Sequence, residues 1–249
     1  LSLPNVEVTA FAHDPLSGWA VWGLSDGRIM VVQVGYRKTY QNNVAGVEPE
    51  VIYPYGQEPL VLSKNQEAIS RLALLVDDEG ILTVAGVTHL DQVIVTHYAE
   101  EEEFSLDEDS VSGPQHITID NLQDGRDFLV LADAGRRLYV VDKNGVLNLF
   151  SLDRDSGQSA LLSRIRLLDD RATVTSMISL LGGSSLLVGD SSGTISQWFP
   201  LRDNRSITMH RVRQFKEQQA PIVRLLSESR RKGFVALDAS GYVGVYYTT

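Results

Sequence analysis

The chain is 249 residues long, 43% hydrophobic and 22% charged, with 20 Gly and 8 Pro, enough apolar material to offset ordering entropy and so exclude disorder over the whole length. It contains no cysteine, which removes disulfides, thiolate metal sites and cysteine nucleophiles, and no apolar run nears the roughly 18 residues of a bilayer span. The net charge of −10 is uneven, with 20 acids and 5 bases in residues 1–125 against 12 acids and 17 bases in the rest, and this negative field excludes the concentrated basic face of a nucleic-acid binder.

A first strand is expected over residues 6–11. Residues 18–32 (GWAVWGLSDGRIMVV) then read as a strand, a turn at Asp26-Gly27 and an alternating strand. Asp-Gly, Asn-Gly and Ser-Gly are the pairs that a tight hairpin asks for, because Gly takes positive φ without steric penalty. Residues 37–67 interrupt the pattern as loops or decorated outer strands, and 66–74 is the only stretch whose spacing allows a helical turn. Strands follow at 71–76 and 80–87, then a turn near 88–91 and a strand at Val93-Ile94-Val95. A second interruption covers 99–115, and the polar segment 116–122 closes that unit. The next unit has strands at 128–132, 138–150 (turn Asn144-Gly145) and 160–167. It is followed by 174–180, 185–198 (turn Ser192-Gly193) and 206–212, and lastly by 222–226 and 234–246 (turn Ser240-Gly241).

The turn glycines Gly145, Gly193 and Gly241 are 48 residues apart. Four short strands with their turns need roughly 40–50 residues, which is the blade of a β-propeller. The expected fold is therefore all-β, a β-propeller with about five blades visible, the last with three strands, in a parent of six or seven. Residues 1–249 are expected to form one propeller domain or an excerpt of one, with an acidic loop inserted at 99–115. The start at Leu1, without Met or a signal-like segment, reads as a piece cut from a longer protein. The two interruptions are where binding specificity is expected.

No catalytic, cofactor or metal site is expected. Gly189-Asp190-Ser191-Ser192-Gly193 matches a nucleophile-elbow pattern, but that motif needs a strand-to-helix turn, and here an alternating strand follows. The five histidines (His13, His89, His97, His116 and His210) lack the spacing of a metal-binding helix. Asp153-Arg154-Asp155-Ser156-Gly157 lacks the third ligand and distal Glu of a calcium loop, and no phosphate-binding glycine motif occurs. Trp19, Trp22 and Trp198 are expected to pack between blades. An enzymatic propeller would need acids and bases around its channel, whereas the inner-strand positions read Val, Leu and Ala without a recurring polar residue.

Charge supplies the candidate interaction surface. Glu100, Glu101, Glu102, Glu103, Asp107, Glu108 and Asp109 form a dense acidic block, read as a solvated loop. Arg202, Arg205, Arg211, Arg213 and Lys216 form a basic strip near the other end. Such patches tune orientation and encounter rate more than affinity.

The repeats resemble degenerate WD-repeat blades that lack the Gly-His and Trp-Asp marker pairs. More narrowly, Phe11-Ala12-His13-Asp14-Pro15 with Gly18-Trp19-Ala20, and residues 233–249 (GFVALDASGYVGVYYTT), resemble the propeller insert of enlarged phosphate ABC-transporter permeases. The resemblance covers essentially the whole chain. It implies a periplasmic domain of a Gram-negative inner-membrane protein, tethered to transmembrane helices outside this sequence. It also implies an interaction or regulatory role in phosphate import. The implied partners are a periplasmic phosphate-binding protein and other transporter subunits. None of the permease's transport residues or its ATPase-coupling loop has a counterpart here. The alternative is a cytoplasmic WD-repeat-like scaffold for complex assembly.

Overall fold

One five-residue turn, which joins the second and third strands of each sheet, sets up the architecture. Leu24, Thr88, Asp142, Asp190 and Asp238 each accept, on the backbone carbonyl oxygen, the N–H of the residue three places on, at 3.0–3.3 Å. That residue is left-handed in every copy, with φ between +63° and +87°, and is Gly at four positions and Asp91 at the fifth. A type I turn followed by a left-handed residue is a hairpin geometry that matches strand twist. In three copies a carboxylate reinforces it. The Asp190 Oδ1 accepts the N–H groups of Ser192 (2.8 Å) and Thr194 (3.1 Å), and Asp142 and Asp238 do the same in their turns.

The computed structural model describes residues 5–14, 17–41, 44–98, 115–119, 122, 127–169, 171–180, 183–203, 206–215, 218–228 and 233–248, without the side chains of 41, 44 and 115. Among these residues there is no helix, hence none long and apolar enough to cross a membrane. The chain divides into two compact units, Leu1–Asp120 and Asn121–Thr249.

The first unit holds two antiparallel sheets. Sheet A is β1 (Val8–His13), β2 (Trp19–Leu24), β3 (Arg28–Gln41) and β4 (Val44–Ile52) in that order, with β5 (Leu60–Val61) also paired to β3. Sheet B is β6 (Ile69–Val76), β7 (Leu82–Thr88), β8 (Val93–Tyr98) and β9 (Gln115–Ile119). The second unit holds three. Sheet C runs β10 (Phe128–Ala132), β11 (Arg137–Val141), β12 (Val146–Asp153) and β13 (Gln158–Arg166). Sheet D runs β14 (Val174–Ser179), β15 (Leu186–Asp190), β16 (Ile195–Asp203) and β17 (Ser206–Phe215). Sheet E has three strands, β18 (Ile222–Ser227), β19 (Gly233–Asp238) and β20 (Val243–Tyr247). Sheets B to D are four-stranded meanders, and the fold is that of β-propeller blades, as the 48-residue spacing predicts.

Flat faces of successive sheets bury one another. In the first unit Trp19, Val21, Ile29 and Val31 of sheet A pack with Ile69, Leu82, Val84 and Tyr98 of sheet B. In the second, Tyr139, Leu147 and Leu149 of sheet C meet Met177, Leu186, Val188 and Trp198 of sheet D. Leu187 and Ile195, on the other face of sheet D, meet Ile222, Phe234 and Tyr246 of sheet E. Trp19 and Trp198 thus lie between sheets as expected, while Trp22 packs beside Ala20, Met30 and Val32 on the opposite face of sheet A. Close approach depends on glycine at two matching places. A Cβ on Gly23 would sit 2.8 Å from Ile69, and one on Gly189 2.6 Å from Ile222.

Two expectations are corrected. The helical turn over 66–74 does not form, because Ile69, Leu72, Leu74 and Val76 are drawn into the core as strand β6. The first strands also do carry a recurring polar residue. Each of β1, β6, β14 and β18 has a bulge at its second residue, and in three of them that residue is a hydroxyl. Ser70 and Thr175 donate to the second-strand carbonyls of Val87 (3.1 Å) and Gly189 (3.2 Å), and the Thr9 hydroxyl is shared between the carbonyls of Gly23 (3.2 Å) and Ile69 (2.7 Å). The bulge costs a ladder hydrogen bond, and the hydroxyl satisfies the carbonyl left over.

Candidate functional site

The catalytic-looking motifs are turns. Ser192 Oγ of the elbow-like pattern donates to Asp190 Oδ1 at 2.6 Å and lies 3.0 Å from Thr194 Oγ1, inside the hairpin. Asp153 accepts from the N–H groups of Asp155 (3.1 Å) and Ser156 (3.4 Å) and from the Ser156 hydroxyl (2.7 Å), which holds its carboxyl below the usual range. Among the described residues no three His, Asp or Glu side chains converge as a metal would require. His13 stacks on Phe11, His97 pairs with Thr83, His116 with Thr96 and His210 with Thr208.

A cleft of about 240 Å³ in the first unit is lined by Leu62, Lys64, Asn65, Gln92, Ile94, His116 and Thr118. Its polar lining is amide, hydroxyl, imidazole and ammonium, without a carboxylate. Burial pushes the His116 imidazole below its ordinary value, and the charge of Lys64 adds to that.

Of the charged residues singled out in the sequence, Glu100, Glu101, Glu102, Glu103, Asp107, Glu108, Asp109, Arg205 and Lys216 lie outside the described residues. Arg202, Arg211 and Arg213 are exposed on the β16–β17 hairpin, and exposed Arg164 and Arg166 stand on β13, which runs beside β17. The strip is not one surface. Trp198 pairs with Arg211 and Gln197 with Arg213, so Val212 is a bulge residue that reverses the alternation. The Arg211 guanidinium lies 5.8 Å from the Trp198 ring on the side facing sheet C, while Arg213 lies 5.9 Å from the Phe215 ring on the side facing sheet E.

Among the described residues an uncovered apolar feature stands elsewhere, beginning just before the interruption over 37–67. Strand β3 starts inside sheet A, paired with β2 as far as Gln33, and then runs on to Gln41. Past Gln33 its only strand partner among the described residues is β4, so residues 34–41 and 44–51 form a two-stranded arm roughly 25 Å long at about 3.3 Å per residue. Alternation sorts its side chains. One face carries Val34 opposite Val51, Tyr36 opposite Pro49, Lys38 opposite Val47 and Tyr40 opposite Ala45. The other carries Arg37 opposite Glu48, 3.6 Å apart, with Gly35, Thr39, Gly46 and Glu50. Tyr36 is 74% exposed and Tyr40 73%. The seven apolar residues of the first face present on the order of 500 Å² of contiguous surface, the size at which an exposed patch marks an interaction site. An isolated ribbon of two strands is marginal in water, so this face is worth more covered than bare. The signal was in the sequence: Val34-x-Tyr36-x-Lys38-x-Tyr40 and Ala45-x-Val47-x-Pro49-x-Val51 alternate on either side of Asn42-Asn43.

No protein-family model and no curated protein sequence matches the chain. Solved structures do. Sqt1 of Chaetomium thermophilum, bound to the N-terminus of ribosomal protein L10, is 16% identical with a TM-score of 0.55 over 96% of this chain and 58% of that one. The β-propeller domain of Cps50 (Swd1) from Myceliophteria thermophila is 12% identical with a TM-score of 0.58 over 97% of this chain and 83% of that one. BBS1N in complex with ARL6DN is 12% identical with a TM-score of 0.55 over 96% of this chain and 61% of that one. The chain thus spans less than two thirds of the length of the Sqt1 and BBS1N chains. At identities this low the likeness speaks for the fold alone, and that fold is a β-propeller.

Proposed function

We propose that the chain is a non-catalytic protein-interaction module in which the apolar face of the β3–β4 arm makes the contact. The observation that carries this is the pair of uncovered tyrosines, Tyr36 and Tyr40, on a face that is apolar at every position except Lys38. Tyrosines with few rotatable bonds are favoured anchors of protein interfaces. Support by analogy comes from Sqt1 and BBS1N, whose structures were solved with protein partners. The arginines of β13 and β17 would steer a partner rather than hold it.

The finer reading is that the module belongs to a phosphate ABC-transporter permease and hangs in the periplasm, beside the phosphate-binding protein and other transporter subunits. Its support is the resemblance of residues 11–20 and 233–249 to that permease's propeller insert. Replacing Tyr36 and Tyr40 by Ser in the natural protein tests the interaction reading. The expected result is loss of the co-purifying partner with the melting temperature unchanged, and retention of the partner overturns it. Cysteines placed on the arm test the finer reading. In intact Gram-negative cells they should react with a reagent that cannot cross the inner membrane, and protection from it would remove the periplasmic assignment.

A further inference from the structure

The two edges of the β3–β4 arm are built differently. Val34 donates its backbone N–H to the Gly18 carbonyl oxygen at 2.8 Å, on the side that β2 occupies. Backbone groups alternate sides along a strand, and the β3–β4 pairing runs from Gln33–Ile52 to Gln41–Val44 without a bulge. The N–H and C=O groups of Tyr36, Lys38 and Tyr40 therefore point away from β4, toward the side where β2 no longer runs. Those of Gly35, Arg37 and Thr39 face the ladder with Glu50, Glu48 and Gly46. Among the described residues of the first unit, no strand pairs with Tyr36, Lys38 or Tyr40 along that outer edge.

On β4 the outward groups belong to Ala45, Val47, Pro49 and Val51. Pro49 has no N–H, so this edge is interrupted near its centre, a common guard against an added strand. The β3 edge has no such guard. Its donors and acceptors are continuous from Tyr36 to Tyr40, and the side chains of the same residues stand on the apolar face.

We propose, resting on the reading of the arm as the contact surface, that a partner polypeptide adds an extended segment as a further strand along the Tyr36–Tyr40 edge of β3. Main-chain hydrogen bonds supply affinity in this mode, and alternate side chains supply specificity. What the segment faces sets its chemistry. Tyr36 and Tyr40 favour apolar residues opposite them, because aromatic and β-branched cross-strand pairs stabilise a sheet. Lys38 stands between them, exposed and without an acidic partner among the described residues, while Glu48 and Glu50 lie on the other face of the arm. An acid opposite the ammonium completes a cross-strand pair. The segment therefore reads apolar–x–acid–x–apolar, a pattern that is the same in either chain direction. A second copy of the arm fits less well, since an antiparallel pairing centred on Lys38 sets lysine against lysine.

A synthetic peptide, Val-Ser-Ile-Ser-Glu-Ser-Ile-Ser-Val, added in excess to the natural protein tests this by amide exchange followed residue by residue. The amides of Tyr36, Lys38 and Tyr40 should slow about tenfold or more, as open edge amides do once paired, and those of Ala45, Val47 and Val51 should not. Replacing the Glu of the peptide by Lys should weaken binding about threefold or more. Lys38→Pro removes an outward donor and should abolish binding, whereas Val47→Pro alters only the guarded edge and should leave it. Unchanged exchange at Arg37 and Thr39 shows that the β3–β4 ladder survives in both variants. An unslowed Tyr36–Tyr40 edge, slowing at the β4 edge instead, or full binding by the Lys38→Pro protein would overturn the proposal. So would slowing without peptide as protein concentration rises, which would assign the edge to a second copy. The two readings fail separately. If Tyr36→Ser with Tyr40→Ser releases the co-purifying partner but the edge stays unslowed, only the added strand is refuted; if the partner stays bound, the arm itself is.

Discussion

Strand β3 serves two ends in one run of residues. From Arg28 to Gln33 it lies inside sheet A, where Ile29, Val31 and Val32 are buried. From Val34 to Gln41 it has one partner strand and an apolar face in solvent. Both halves are rich in β-branched or aromatic residues, but Ile29-Met30-Val31-Val32 is an unbroken apolar run, whereas Val34 to Gln41 alternates apolar with polar. Coverage differs too: the first half is packed by neighbouring strands and by sheet B, and the second is not. An apolar residue in the first half therefore supports the fold, and one in the second supports only whatever covers it.

The sharpest way to break this contrast is truncation in each half. Ile29→Ala should lower the unfolding free energy by about 2–5 kcal/mol, the usual cost of emptying a core site. Tyr36→Ala or Tyr40→Ala should change it by no more than about 0.5 kcal/mol, as for exposed positions generally. Urea titration checks both, and a large loss on removing either tyrosine would mean that the arm is part of the folding unit.

Two glycines sharpen it next. A Cβ on Gly23 would lie 2.8 Å from the Ile69 side chain in the packed half of sheet A. A Cβ on Gly46 would also lie 2.8 Å from its neighbour, but there the neighbour is the hydroxyl of Thr39 on the arm. Thr39 can rotate away and Ile69 cannot. Gly23→Ala should cost about 1–3 kcal/mol as overpacking, and Gly46→Ala should stay within about 0.5 kcal/mol. Similar costs for the two, read by thermal melts, would remove the distinction.

The smallest expected effect concerns pH. Burial favours the neutral form of His116, so its folded pKa lies below the unfolded value of 6.5. The unfolded chain then binds more protons in the window just under 6.5. The contribution is present above that value and is lost as pH falls through the folded pKa. His116→Gln should flatten this part of the stability profile, whereas arm substitutions should leave its slope unaltered.

The fold was legible because its turns are chemical. Asp142, Asp190 and Asp238, each followed three places on by Gly, announce a hairpin wherever they occur, and Thr88 with Asp91 does so faintly. Other features hid for physical reasons. The alternation of residues 34–41 is visible, but alternation alone does not say whether a strand stays in its sheet or leaves it as an arm. The bulge at Val212 is a matter of register, and without it Arg211 and Arg213 read as one surface. Ile69 to Leu74 suits helix or strand until Gly23 makes room for Ile69. The hydroxyls of Thr9, Ser70 and Thr175 became a series only once the bulges aligned them.

Photocrosslinking from the two faces of the arm decides the central claim. A crosslinking residue at Val47 sits on the apolar face and one at Glu48 on the polar face, one position apart on β4. In cells making the natural protein, Val47 should give a discrete protein adduct that disappears with Tyr36→Ser and Tyr40→Ser, and Glu48 should give none. Equal adducts from both positions, or none from Val47, would contradict the account.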